Sequence, residues 1–215
     1  MLMACKEIGD KCLQCGLCQK ECAFLRRHGM PGELAHALLC EGSSPGAMAF
    51  ECSLCRLCAS VCPAELDPSR MFLEIRRHAL LSGYSVAQSH AILLNYERRG
   101  LSRTFSFYGL PQGCEDVFFP GCALSGMYPK RVRKLFDVLS QAVPGLGIVL
   151  DCCSRPSHDL GREAPFGFIF GEMIDYLGNM GVNKIWTACP SCHDTFMRYG
   201  EGLVAQTVYE LIAER

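Results

Sequence analysis

Two copies of one short cysteine pattern constrain this chain more than any other feature. The first is Cys12-x-x-Cys15-x-x-Cys18-x-x-x-Cys22. The second is Cys52-x-x-Cys55-x-x-Cys58-x-x-x-Cys62, followed by Pro63. Three thiolates spaced in this way can wrap one face of a metal–sulfur cube in a tight loop, and a fourth must arrive from elsewhere to close it. This is the bacterial run for a pair of [4Fe–4S] clusters, in which the fourth cysteine of each run ligates the other cluster. The spacing predicts Cys12, Cys15, Cys18 and Cys62 around one cubane, and Cys52, Cys55, Cys58 and Cys22 around the second. Paired zinc sites explain it poorly, because zinc usually takes two separated Cys-x-x-Cys pairs. Crossed ligands tie the two clusters close together, which makes an electron relay.

Sixteen cysteines in 215 residues could also suggest a disulfide scaffold, but that class is usually secreted and under about 80 residues. The N-terminal MLMACKEIGDKC has no apolar stretch of the secretory kind, and no apolar run reaches the roughly 18 residues of a membrane span. The chain therefore reads as metal-binding in a reducing cytosol, cytoplasmic and at most peripheral to a membrane through partner subunits. Hydrophobic content of 49% and charged content of 20% mark a globular protein. Its formal net charge is −1. The basic residues are dispersed as pairs such as Arg26-Arg27, Arg76-Arg77 and Arg98-Arg99, which suits solvated helix faces and not nucleic acid.

The expected fold class is α + α/β. Residues 1–105 read as a helical dicluster ferredoxin domain. It has a helix over Pro31–Cys40, a turn at Gly42-Ser43-Ser44-Pro45-Gly46, and a helix opened by Asp67-Pro68. That helix carries Met71, Phe72, Ile75, Ala79 and Leu80 at core-packing spacing. A further helix is expected over Ser85–Arg99, then a linker from Gly100 to Gly113. Residues 106–215 read as a small α/β domain with a parallel sheet, because short apolar strands (Val117–Phe119, Gly147–Leu150, Lys184–Thr187, Val204–Val208) alternate with helices. In such sheets ligands sit beyond the carboxyl ends of the strands. Three cysteine groups fall there: Cys122, then Cys152-Cys153, then Cys189-x-x-Cys192.

Here the chain resembles the cysteine-rich CCG domain. That domain occurs in the catalytic subunits of heterodisulfide reductase and in the iron-sulfur subunits of anaerobic glycerol-3-phosphate dehydrogenase and of glycolate oxidase. The resemblance is carried by Pro120-Gly121-Cys122, Asp151-Cys152-Cys153 and Cys189-Pro190-Ser191-Cys192, and the N-terminal runs resemble the ferredoxin half of fused members. It implies a third metal site ligated by Cys122, Cys152, Cys153, Cys189 and Cys192. In relatives five such cysteines hold a noncubane [4Fe–4S] cluster; other repeats bind zinc or have degenerated. Five thiolates exceed the four that a tetrahedral zinc uses, which favours iron–sulfur, with zinc or no metal as alternatives. Two departures stand out. Ser154 replaces the glycine that follows the cysteine pair in the family. There is also one CCG repeat where two are usual, so the chain is either a short member or a fragment. An exposed face covered by another chain is expected at the third site.

Cys5, Cys40 and Cys114 have no assigned role. Ser157-His158-Asp159 resembles a catalytic triad only in writing, since triad members converge in space. His158 and His193 could donate hydrogen bonds or protons near the third site, and Arg155 could stabilise its thiolates; ordinary structural roles are the alternative for each. The resemblance implies an oxidoreductase subunit that relays electrons through two cubanes to the cysteine-rich site. Its partners would be a flavoprotein or a membrane- or quinone-linked subunit in a hetero-oligomer. The rivals are a heterodisulfide reductase-like catalytic subunit and a docking module with structural zinc. Because the helical half has little core beyond its clusters, metal binding and folding should be coupled. Anaerobic chelation should unfold residues up to about 100 before the α/β half; helix content by circular dichroism that survives complete iron loss would overturn this.

Overall fold

The computed structural model describes residues 2–41 and 46–213. The turn expected at residues 42–45 lies outside the described residues, and so does the side chain of Cys40. The backbone packs as two compact units, residues 1–89 with 159–163, and residues 90–158 with 164–215.

The first unit is helical. Its elements are α1 (Met3–Lys11), α2 (Leu17–Glu21), α3 (Ala23–His28), α4 (Pro31–Glu41), α5 (Gly46–Ala49), α6 (Leu57–Ser60) and α7 (Pro68–Leu81). The short helices α2 and α6 each begin inside a cysteine run, where the loop between ligands hands over to helix. Helix α7 starts as the sequence predicts. The Asp67 carboxylate accepts from the Ser69 amide at 3.0 Å, and Pro68 occupies the first turn, where no amide donor is missed. Its stripe of Met71, Phe72 and Ile75 is buried with Ile8, Leu25 and Ala35. This core is small, and six of the eight run cysteines pack in or against it: Cys12, Cys18, Cys22, Cys52, Cys58 and Cys62.

The second unit contains α8 (Ala91–Gly100), β1 (Phe107–Gly109), β2 (Asp116–Phe119), α9 (Cys122–Met127), α10 (Pro129–Ala142), β3 (Gly147–Leu150), α11 (Arg155–Asp159), α12 (Glu163–Asn179), β4 (Lys184–Thr187), α13 (Pro190–Tyr199), β5 (Val204–Thr207) and α14 (Val208–Ala213). The sheet order is β1-β3-β2-β4-β5. The last four strands in that order run parallel, with Val117 opposite Ile185 and Phe118 opposite Ile148, while β1 is antiparallel on the edge. Successive β2 side chains alternate faces. Val117 and Phe119 pack with Phe166, Phe170 and Phe196, and Phe118 packs with Val132, Leu139 and Trp186. The fold is thus helical followed by α/β with a mostly parallel sheet.

Three local expectations differ. Strand β1 forms within the expected linker: three residues are too few to show a period in sequence, and pairing with β3 satisfies their backbone. Helix α8 begins at Ala91, not Ser85. The Ser85 hydroxyl accepts from the Ala87 amide at 3.4 Å, a local turn that competes with helix. Residues 90–105 group with the second unit. Glu97 anchors them there: it is 3% exposed and accepts from the Ser157 amide at 2.9 Å and the Ser157 hydroxyl at 2.6 Å. Replacing Glu97 by Ala should destabilise this unit by about 3 kcal/mol, since a buried bond to a charged group is lost and its donors are orphaned. Denaturant unfolding followed by Trp186 fluorescence reads this; an unchanged midpoint would show that Glu97 does not hold α8.

Candidate metal centres

The two cysteine runs share one unusual backbone. Gln14 and Leu54, each two residues past the first cysteine of its run, have φ of 51° and 54°. Gly16 and Arg56, two residues further on, have φ of 74° and 63°. Left-handed conformation costs an ordinary residue roughly 1–2 kcal/mol, so three non-glycine examples at matched positions need a cause. Left-handed residues in a turn tend to form a concavity of backbone amides that suits anionic and iron–sulfur groups. The Leu54 amide donates to the Cys52 sulfur at 3.4 Å.

Cys12, Cys15, Cys18, Cys58 and Cys62 line one cavity. Cys22, Cys52, Cys55 and Cys58 line a second. Burial raises the Cys18 thiol, and the charges of Cys12, Cys15 and Cys62 add to it. Burial also raises Cys52; the Leu54 amide and Arg76 pull against it, while Cys22 and Cys55 reinforce it. Cys58 is pushed up to about 12, by burial first and then by the Cys52 and Asp67 charges. Cys62 therefore lies near Cys12, Cys15 and Cys18, and Cys22 near Cys52 and Cys55.

The third group lies where three neighbouring parallel strands end. Cys122 opens α9 after β2, Cys152 and Cys153 follow β3, and Cys189 caps α13 after β4, with Cys192 in its first turn. Gly121 makes this possible. Its φ is 84°, and a Cβ there would stand 3.0 Å from Cys189 Cβ and 3.1 Å from Cys192 Sγ, so a side chain would have to displace the ligand groups. A Cβ on Gly100 would stand 3.3 Å from Cys152 Cβ and 3.4 Å from Cys122 Cβ, so α8 closes on the same group. The Cys152 thiol donates to Cys122 and lowers its pKa. The Cys192 thiol, raised by its bonds with Cys153 and Cys189, donates to Cys189 and lowers it to about 5. The sulfurs thus fall into two bonded sets, Cys122 with Cys152 and Cys189 with Cys192 and Cys153. Among the described residues, neither here nor in the two runs are three Cys, His, Asp or Glu side chains placed to hold one metal ion.

The neighbouring residues have definite roles. Ser154, at the family's glycine position, has φ of 53°. It is fully buried, and its hydroxyl lacks a partner; the turn keeps glycine's geometry without glycine. Arg155 pairs with Asp194 at 2.6 Å. His158 is buried against Phe166 and bonds the Tyr199 hydroxyl at 2.7 Å, and Ser157 turns to Glu97, so these neighbours form no triad. Cys114 donates to the Asp116 carbonyl at 3.1 Å, at the amino end of β2 and away from the third group. Cys5 is buried and its thiol is raised to about 11, by burial first and then by Glu74. Sequence reasoning missed Tyr96, whose hydroxyl donates to the Cys122 carbonyl at 3.1 Å, and Gly100. Both lie on α8, and no local signal ties that helix to the strand ends.

Replacing Ser154 by Gly should raise stability by about 1 kcal/mol, since relief of left-handed strain exceeds the added chain entropy. Ser154→Ala keeps the strain and should gain less; a Gly variant no more stable than wild type in urea would refute the strain.

Residues 8–66 match the family described as a 4Fe-4S dicluster domain, and residues 117–197 match the cysteine-rich domain. Among curated proteins, the chain is 21% identical over 170 residues to an EtfAB:quinone oxidoreductase of Syntrophomonas wolfei, covering 66% of this chain and 23% of that protein. It is 23% identical over 164 residues to an uncharacterised iron-sulfur protein of Methanocaldococcus jannaschii, covering 68% of this chain and 33% of that one. The chain therefore spans a third or less of the length of these relatives. No solved structure matches it. A 4Fe-4S dicluster domain followed by a cysteine-rich domain is the architecture of the heterodisulfide reductase-related iron-sulfur proteins, and this chain has it.

Proposed function

We propose that this chain is an electron-transfer subunit of an anaerobic oxidoreductase complex. It would carry two [4Fe–4S] cubanes and, at the cysteine-rich group, a third, noncubane [4Fe–4S] cluster. When bound, the clusters supply one-electron carriers. The observation that supports the reading is that two runs of matching left-handed backbone place Cys62 in a cavity with Cys12, Cys15 and Cys18, and Cys22 in one with Cys52, Cys55 and Cys58, as crossed ligation of two adjacent cubanes would require. Cys12, Cys15, Cys18 and Cys62 would hold one, and Cys52, Cys55, Cys58 and Cys22 the other. The backbone amides of these turns would stabilise their negative charge, and Ile8, Phe72 and Leu66 would limit water.

At the third site, Cys122, Cys152, Cys153, Cys189 and Cys192 are the proposed ligands. Metal binds thiolates, so loading the site should release protons from these thiols. Five thiolates favour a multinuclear group over a single tetrahedral ion. The partners proposed are a flavoprotein and a quinone-linked or membrane subunit, a choice supported by the quinone oxidoreductase relative. Among the described residues, no helix is long and apolar enough to cross a membrane. A catalytic role at the third site, in reducing a disulfide, is the second reading, favoured by the resemblance to heterodisulfide reductase.

Metal analysis of the anaerobically reconstituted chain separates these readings from a docking module. About twelve irons and no zinc are expected for three four-iron clusters; about eight irons with one zinc would replace the third cluster by structural zinc. Cys153→Ser should lose about four irons and keep both cubane signals. Cys22→Ala should perturb the cluster held by Cys52, Cys55 and Cys58, not the one held by its own run. Mössbauer or paramagnetic resonance spectra showing each run closing on its own cube would overturn the crossed assignment.

A further inference from the structure

We propose that Arg76 raises the reduction potential of the cluster held by Cys52, Cys55, Cys58 and Cys22 above that of its neighbour. The inference rests on the reading that both cubanes are bound. Arg76 lies on α7 and is 4% exposed. Its Nε donates to the Ala49 carbonyl at 2.9 Å, and its two terminal nitrogens donate to the carbonyls of Cys52 and Asp159. The guanidinium also lies over the Phe50 ring, 5.2 Å from its centroid. A planar fork satisfied by three carbonyls and an aromatic face is held in one position. That position is bonded to the backbone of a proposed cluster ligand.

The charge environment of the two cavities is unequal. The first cavity is lined by Ile8, Leu13, Met30, Leu66 and prolines, and apart from its cysteines no lining side chain is ionisable. The second carries Glu21, Glu51 and Arg56 at its rim. Glu51 pairs with Arg27 and His28, and Arg56 with Asp67. Arg27 and Glu51 are largely in water and screened by salt, while Asp67 is mostly buried but neutralised by its ion pair with Arg56. Arg76 is different: it is buried, its charge acts on the Cys52 sulfur, and the opposite charge facing it is Asp159.

Adding one electron to a cluster adds one negative charge. A buried fixed cation beside it stabilises that reduced form more than the oxidised one, and more strongly than an exposed cation could. Arginine keeps its charge throughout the ordinary pH range, so the bias is permanent. It makes the second cavity the resting place of the first electron.

An anaerobic redox titration of the reconstituted full chain, followed by electron paramagnetic resonance, tests this. The wild type should reduce in two resolved steps. Arg76→Met should lower the higher potential alone, bringing the two steps together with iron content unchanged. Arg76→Lys, which keeps a positive charge, should lower it less. Asp159→Asn should shift the same step upward, and it tests the sign by itself if Arg76→Met fails to load its clusters. Arg27→Met, which removes an exposed guanidinium paired with Glu51, should move neither step. The proposal is overturned if Arg76→Met leaves both steps in place or shifts both equally, or if Asp159→Asn lowers the higher step. A wild-type chain that loads no cubane would overturn the cluster reading itself, and so is distinguishable from a failure of Arg76.

Discussion

Thiolates separated by only two residues have to face a common centre, and everything in the first unit follows from that demand. An ordinary extended or helical backbone cannot turn three such side chains inward. The chain does it with left-handed residues at matched positions, Gln14 and Gly16 in one run, Leu54 and Arg56 in the other. Three of those four are not glycine, so the strain is retained and something must repay it. The helices around the runs are short for the same reason: α2 and α6 start only after the third ligand is near. What remains for an ordinary apolar core is the face of α7 against α1 and α4, with cysteine side chains filling its margin.

The second unit meets a related demand by other means. Its five cysteines come from three strand ends, so the sheet brings them together and the local backbone need only let them pass. Gly121 leaves the room that Cys189 and Cys192 take up, and Gly100 lets α8 approach Cys122 and Cys152. Ser154 holds a turn made for glycine and buries an unpaired hydroxyl to do so. Hydrogen bonds between sulfurs treat their partners unequally, lowering Cys122 and Cys189 and raising Cys152 and Cys192.

Most of this chemistry is legible in the amino-acid sequence, because cysteine spacing is a geometric statement. The Asp67-Pro68 helix start and the placing of cysteines after apolar strands follow from local rules, and the structure has both. Local rules fail where partners are distant. Nothing near Ala91–Gly100 shows that Glu97 reaches Ser157, 60 residues away. Phe107–Gly109 is too short to announce itself as a strand. Arg76 reads in sequence as half of a solvated basic pair. Only the packing of α7 against the loop at Ala49–Cys52 turns it inward, and a buried charge then acts on its neighbours with a force that water denies to the rest. The sequence by itself determined how the cysteines are spaced and which strand ends carry them. Tertiary structure alone decided which helix closes on the third group and which arginine loses its water, because both depend on contacts between residues far apart along the chain.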